Sequence, residues 1–133
     1  VRYWILCAAA TVGGFLGWFL GGLDGLVYAL IALICVDYIT GILRGISEKK
    51  LNSQIGARGI IKNVVVLLLV GISNIIDIYL VRSGNSPLRT AVIFFYAANE
   101  GISILENACA IGLPVPGKLK DVLEQFKGKG DKE

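Results

Sequence analysis

The sequence contains no histidine and no methionine. The first absence excludes His-based acid–base catalysis, Ser–His and Cys–His nucleophile pairs, and the commonest zinc ligand sets. The second means that the initiator is missing, so the natural N-terminus is expected to be cut, processed or upstream of Val1. Cysteine is scarce too. Cys7, Cys35 and Cys109 lie in separate apolar blocks, and an odd, widely spaced set of this kind makes no disulfide framework. They read as small hydrophobes. Nothing in the composition calls for a metal, a cofactor or a nucleic acid.

What fills the 133 residues is apolar sequence, 55% of the chain. It falls into blocks about as long as the ~20 residues that carry a helix across the ~30 Å hydrocarbon core. A soluble domain would interleave polar residues at helical spacing instead. The expected fold is therefore an all-α membrane protein with four hydrophobic helices and a short amphipathic helix at the C-terminus.

The first block runs without a charge over 4–23, too long for the apolar region of a signal peptide and without a cleavage site behind it. The second, 25–43, carries one acid, Asp37, and only Asp24 separates the two, which predicts a tight helical hairpin. A polar stretch follows, with Arg44, Lys49, Lys50, Arg58 and Lys62 against a single Glu48. The third block, 63–81, contains Asp77, and residues 82–89 carry Ser, Gly, Asn and Pro turn chemistry. The fourth spans 90–112, ended by Pro114 and Pro116. The chain thus divides into a transmembrane domain, 1–113, and a charged tail, 114–133, expected in the cytoplasm.

Basic residues set the orientation. With four spans and the N-terminus inside, the cytoplasmic side holds Arg2, the five bases of the long loop and Lys118, Lys120, Lys127, Lys129 and Lys132. The other side keeps only Arg82 and Arg89. Both termini are therefore placed in the cytoplasm.

Three groups of residues could carry function. Gly13, Gly17, Gly21 and Gly25 recur at steps of four, which on one helix makes a flat face for close helix association. Asp37 and Asp77 are acids at membrane depth, costly unless they face protein, water or a cation. Asp37 is expected to pair with Arg44, and Asp77 to reach the headgroups beside Asn74. On the fourth block Asn99, Glu100, Ser103, Glu106 and Asn107 fall within an arc of about 120° centred on Ser103 at 100° per residue. Such a helix lies flat at the interface, or spans while turning its stripe to a partner or to water. In the tail, Leu119, Val122, Leu123 and Phe126 repeat at i, i+3, i+4 and i+7, a short amphipathic helix suited to headgroups or to another subunit. Asp37 and Asp77 are the only candidates for an intramembrane aspartyl dyad. Their different depths separate them, and catalysis is not expected.

Specific runs carry a resemblance. Asp37-Tyr38-Ile39-Thr40-Gly41 and Ser53-Gln54-Ile55-Gly56-Ala57-Arg58-Gly59 resemble the toxin-secretion/phage-lysis holins. So do Leu88-Arg89-Thr90, then Phe94-Phe95-Tyr96-Ala97-Ala98-Asn99-Glu100-Gly101, and Ser103-Ile104-Leu105-Glu106-Asn107. Gly112-Leu113-Pro114-Val115-Pro116 before Leu119-Lys120 is similar too, so the resemblance covers roughly residues 24 to 127. It implies a small phage or prophage protein that oligomerises in the bacterial cytoplasmic membrane. Its lesion would let an endolysin reach the cell wall, or release a large toxin. It brings no catalytic residues, and the stripe on the fourth helix stands on the helical-wheel argument alone. Two other readings stay open: a small channel or transporter subunit using the buried acids, and a structural or regulatory membrane subunit.

Overall fold

The computed structural model describes residues 1–132, and for residues 126, 127 and 129–132 the backbone only. It consists of α1 (Arg2–Leu20), α2 (Gly25–Ser47), α3 (Ser53–Ile76), a π-helical turn (Asp77–Val81), α4 (Pro87–Ile111) and α5 (Gly117–Lys132). No strand occurs among the described residues. Four helical stretches, Arg2–Leu20, Gly25–Ser47, Ser53–Val81 and Pro87–Ile111, are long and apolar enough to cross a membrane. The all-α membrane reading therefore holds.

The helix ends explain where the expected boundaries shift. α1 stops at Leu20 because Gly21 and Gly22 take φ of 87° and 102°, a left-handed pair open to glycine. The Gly22 amide then donates to the Gly17 carbonyl at 2.6 Å, which closes the helix end. Asp24 begins α2 by accepting from the Val27 amide at 3.1 Å. Asn52 begins α3 in the same way, accepting from Ile55 at 2.9 Å. The third helix thus starts ten residues before the first residue of its apolar block, and Arg58 and Lys62 are helical residues rather than loop. α4 opens on Pro87, where the missing amide costs nothing.

Leu20, Val27, Leu30, Ile34, Val66, Val70 and Ile93 form one apolar core where α2, α3 and α4 meet the end of α1. The expected α1–α2 hairpin has its tight turn, but α1 packs on α3 rather than along α2. The Phe19 ring sits against Gly71, where any Cβ would overlap it. Residues 1–16 are exposed throughout. α5 folds back on α4, and Leu123 sits against Gly101.

The four span-length helices are tied together at one end by a polar clamp. Arg89, only 4% exposed, donates from Nε to the Leu20 carbonyl at 2.6 Å and from Nη2 to the Gly22 carbonyl at 3.2 Å. It also grips both oxygens of Asp24 at 3.0 Å. Asp77 accepts from the Leu88 and Arg89 amides at 3.1 and 2.7 Å. It thereby caps α4, whose own N-cap residue Ser86 makes no side-chain bond. Asn74 donates to the carbonyls of Trp18 and Phe19. Cations suit helix C-termini and anions N-termini, so each charge here sits where the backbone leaves groups unpaired. Asp77 is buried in this clamp at 4% exposure and does not reach outward.

Arg89→Ala should therefore cost about 1–3 kcal/mol, chiefly from leaving the Leu20 and Gly22 carbonyls without their donor, because the Asp24 side chain is 46% exposed. It is read as a lower melting temperature in detergent and poorer accumulation in membranes. The Arg89 guanidinium also holds the Asp24 carboxyl below its ordinary value of 3.8, helped by the Val27 amide and opposed by burial. A group depressed on folding contributes stability above its unfolded value and loses it as pH falls through the folded one. This contribution should be level above about pH 5 and decline below about pH 4. Asp24→Asn should remove that acid limb in a pH series of thermal melts.

Candidate functional site

The polar stripe of α4 divides along its length. Glu100 and Asn107, seven residues apart, lie on one edge of the arc, and Asn99 and Glu106 on the other, with Ser103 between. The first edge is buried against α2 and α3, Glu100 at 1% exposure and Asn107 at 7%. The second faces α5 across a cleft of about 630 Å³ that Asn99, Ser103, Glu106, Lys120 and Glu124 line together with Lys62 and Glu100.

On the buried edge, Asn107 donates to Asp37 Oδ1 at 3.2 Å and to Thr40 Oγ1 at 3.0 Å. It accepts from Arg44 at 3.4 Å. The expected Asp37–Arg44 ion pair is therefore replaced. Arg44 pairs with Glu48 at 3.0 Å, and Asp37 pairs with Lys62 across the α2–α3 interface at 3.7 Å. Lys62 also reaches Glu100 Oε1 at 3.8 Å. One ammonium thus serves two carboxylates from two other helices, at distances longer than a direct hydrogen bond. Glu100 Oε2 is buried without a hydrogen-bond partner among the described residues. A smaller cleft of about 180 Å³ borders the cluster, lined among others by Asp37, Tyr38, Gly41, Gly59, Lys62, Ser103 and Asn107. Tyr38 fits there because Gly56 and Gly59 leave room, and its hydroxyl donates to the Gly56 carbonyl at 3.2 Å.

The glycine ladder is interrupted. Gly21 is the left-handed residue that ends α1, and Gly25 opens α2. Only Gly13 and Gly17 share one helix at the four-residue step. A Cβ at Gly13 would meet nothing within 4 Å, so that face is not spent within the chain. Cys7, Cys35 and Cys109 are free and exposed. The side chain of Phe126, the last apolar position expected for the tail helix, lies outside what the structure describes.

Two residues central to this arrangement escaped the sequence reading. Lys62 was assigned to a loop by its charge, although the Asn52 capping signal ten residues earlier places it well inside α3. Arg89 counted only as a charge outside the membrane. Its position in the first turn of a helix after Pro87 was the available sign that it could turn inward.

A profile described as the bacteriophage holin family matches residues 14–128. The chain is 43% identical over 122 residues to an uncharacterized protein of Listeria innocua, covering 91% of this chain and 86% of that one. It is 40% identical over 119 residues to an uncharacterized 14.9 kDa protein of Clostridium perfringens, covering 90% and 89%. With a protein of Bacillus phage phi105 described as a probable holin it shares 32% identity over 104 residues, covering 78% and 76%. No solved structure matches the chain.

Lys62→Met should leave Asp37 and Glu100 facing each other without their cation. Because the Lys62 side chain is 59% exposed, the expected loss is about 1–2 kcal/mol rather than the full cost of a buried pair. Adding Glu100→Gln should recover part of it. A double-mutant cycle of thermal melts in detergent reads the coupling, and additive losses would show that the three groups do not interact.

Proposed function

Because the chain belongs to the bacteriophage holin family, we propose that it assembles in the bacterial cytoplasmic membrane into a lesion that lets an endolysin, or a large toxin, cross. The observation that carries this reading is the half-satisfied stripe of α4. Asn99, Ser103 and Glu106 face a polar cleft, and beside them a buried carboxylate oxygen of Glu100 has no partner. In hydrocarbon such groups need protein or water. A growing oligomer supplies both, first the polar faces of other copies and then water at the rim of a hole. Subunits pack with the stripe hidden and then rearrange so that Glu100, Ser103 and Glu106 line water.

The open length of α1 supports self-association, since residues 1–16 are exposed and a Cβ at Gly13 would meet nothing within 4 Å. Close approach at such small residues is a common way for membrane helices to associate. Both termini lie on the cytoplasmic side in this reading. The burial of Arg89 in its ion pair with Asp24 supports that orientation, because it leaves Arg82 as the solvent-exposed base at the clamped end. No group of three or more potential metal ligands occurs among the described residues, and the proposed role involves no bond-making chemistry by the protein.

The test is inducible expression in a bacterium beside a cytoplasmic endolysin without an export signal. Culture density, membrane potential and release of a cytoplasmic protein are followed together. Abrupt lysis that needs both proteins is the expected result. Loss of potential with no passage of protein would instead favour a small channel working through Asp37, Lys62 and Glu100. No effect on either would point to a structural or regulatory subunit. In the lytic case, replacing Glu100 and Glu106 together by Leu should shift the lysis time measurably, and unchanged timing would count against their lining the hole.

A further inference from the structure

The position of α5 conflicts with a fully inserted α4. Leu123 packs on Gly101, which lies ten residues before the end of α4 at Ile111, or about 15 Å along the axis at 1.5 Å per residue. Half the thickness of the hydrocarbon core is about the same. If α4 spans, the docked part of α5 lies at membrane depth. Lys120 and Glu124 can then face the α4 cleft, which they help to line. Lys118 and Asp121 cannot, because at 100° per residue they lie about 140–160° around α5 from the docked Leu123, are exposed and would meet lipid. Charges at depth cost several kcal/mol each unless paired or hydrated. Docking of α5 and full insertion of α4 by a lone chain therefore exclude one another.

The contact itself leaves apolar surface of α5 unspent. Among the described side chains of α5, Leu123 enters the notch at Gly101, while Leu119 and Val122 each remain 46% exposed. An amphipathic helix with an unspent apolar edge and lysines has a second place to go, the headgroup surface. The connection to α4 is a firm break rather than a continuous helix. Gly112 is left-handed at φ 112°, and Pro114 and Pro116 follow.

We propose that α5 is an intramolecular cover for the polar stripe of α4, and that its departure frees the stripe to pair with a second copy of this chain. This rests on the oligomeric role proposed above and names what hides the stripe before assembly. In the covered state the inner half of α4 stays at the interface with α5 across Asn99, Ser103 and Glu106. In the uncovered state α4 inserts to full depth, α5 lies on the headgroups, and the same three residues meet their counterparts on a neighbour. A second copy is the occupant that this chemistry favours. The vacated surface is a line of amide, hydroxyl and carboxyl groups that lipid cannot satisfy, and amides and hydroxyls donate and accept hydrogen bonds to their own kind.

A disulfide lock separates the two states. In a background with Cys7, Cys35 and Cys109 replaced by Ser, Gly101→Cys and Leu123→Cys are introduced together. A Cβ at Gly101 would stand 3.6 Å from Leu123 Cγ, so the two sulfurs can meet when α5 is docked. The protein is reconstituted in phosphatidylethanolamine–phosphatidylglycerol vesicles, and energy transfer is read between donor- and acceptor-labelled copies. Oxidation should form the bond within one chain and keep transfer near background. Dithiothreitol added to the same sample should raise transfer several-fold. A chain ending at Pro116 should associate without any reduction step. Failure of the bond to form, or equal transfer in locked and reduced protein, would overturn the proposal. The readout does not depend on a hole. Copies that pair on reduction yet never pass a dextran of endolysin size would leave the cover in place and count against the lesion.

Discussion

The grip of Arg89 on Asp24 and on the ends of the neighbouring helices is the interaction from which the rest of the arrangement follows. A short turn between membrane helices leaves carbonyls at one helix end and amides at the next, and lipid offers neither a partner. One guanidinium answers the end of α1 through Leu20 and Gly22 and binds the Asp24 that starts α2. The helix that carries it is itself started by Asp77 from the end of α3. The π-helical turn belongs to the same device. It ends α3 with its Asp77 carbonyl bonded to the Arg82 amide at 2.8 Å, while the Asp77 side chain is directed at α4. Four helices are thereby fixed at one end by charges placed against backbone dipoles, directly beside the apolar core of Leu20, Val27, Val70 and Ile93.

Away from the clamp the economy changes. The middle of the bundle contains Asp37, Lys62 and Glu100, two anions and one cation from three helices, with the cation mostly accessible and one carboxylate oxygen unanswered. A site evolved for stability alone would be served as well or better by apolar residues of similar volume. Its retention in a membrane helix fits an arrangement that is satisfied in one packing and left open to another. In the proposed role, a clamp at one end and an incomplete polar centre would let the helices separate at the far end while the turns stay fixed. That is the mechanical property a chain needs if it is to exchange intramolecular neighbours for copies of itself.

Much of this was legible in the sequence, and what was missed has a common physical cause. Apolar block length gave four spans, and the wheel of α4 put Asn99 to Asn107 on one face, as the structure has them. The division of that face into a buried edge and an α5-facing edge could not be read, because it depends on which helix lies on which side. Boundaries were drawn at charges, and so Lys62 and Arg89 were left outside the membrane when both are helical and inward-reaching. Hydropathy treats every charge as an exit signal, whereas a paired charge is a contact. Glycine spacing erred the opposite way. A four-residue step counts only on a continuous helix, and Gly21 with φ of 87° ends the helix that the pattern assumed.

The position of α5 follows from the same accounting of polar groups. α4 has more polar surface than the chain's other spanning helices can cover, since α2 and α3 take only the Glu100 and Asn107 edge. The remaining edge must be covered by something hydrophilic, and the segment reached by the shortest connection is α5, a charged amphipathic helix. That cover carries its own charges on the outside, so it cannot accompany α4 into lipid. A stripe that needs covering and a cover that cannot enter hydrocarbon leave two consistent arrangements, α4 shallow with its cover or α4 deep among its own kind. On the proposed cover, a lone chain adopts the first and the second needs neighbours, so the depth of α4 would follow how many copies the membrane holds. Accumulation would then be the physical variable that sets when the stripe is uncovered.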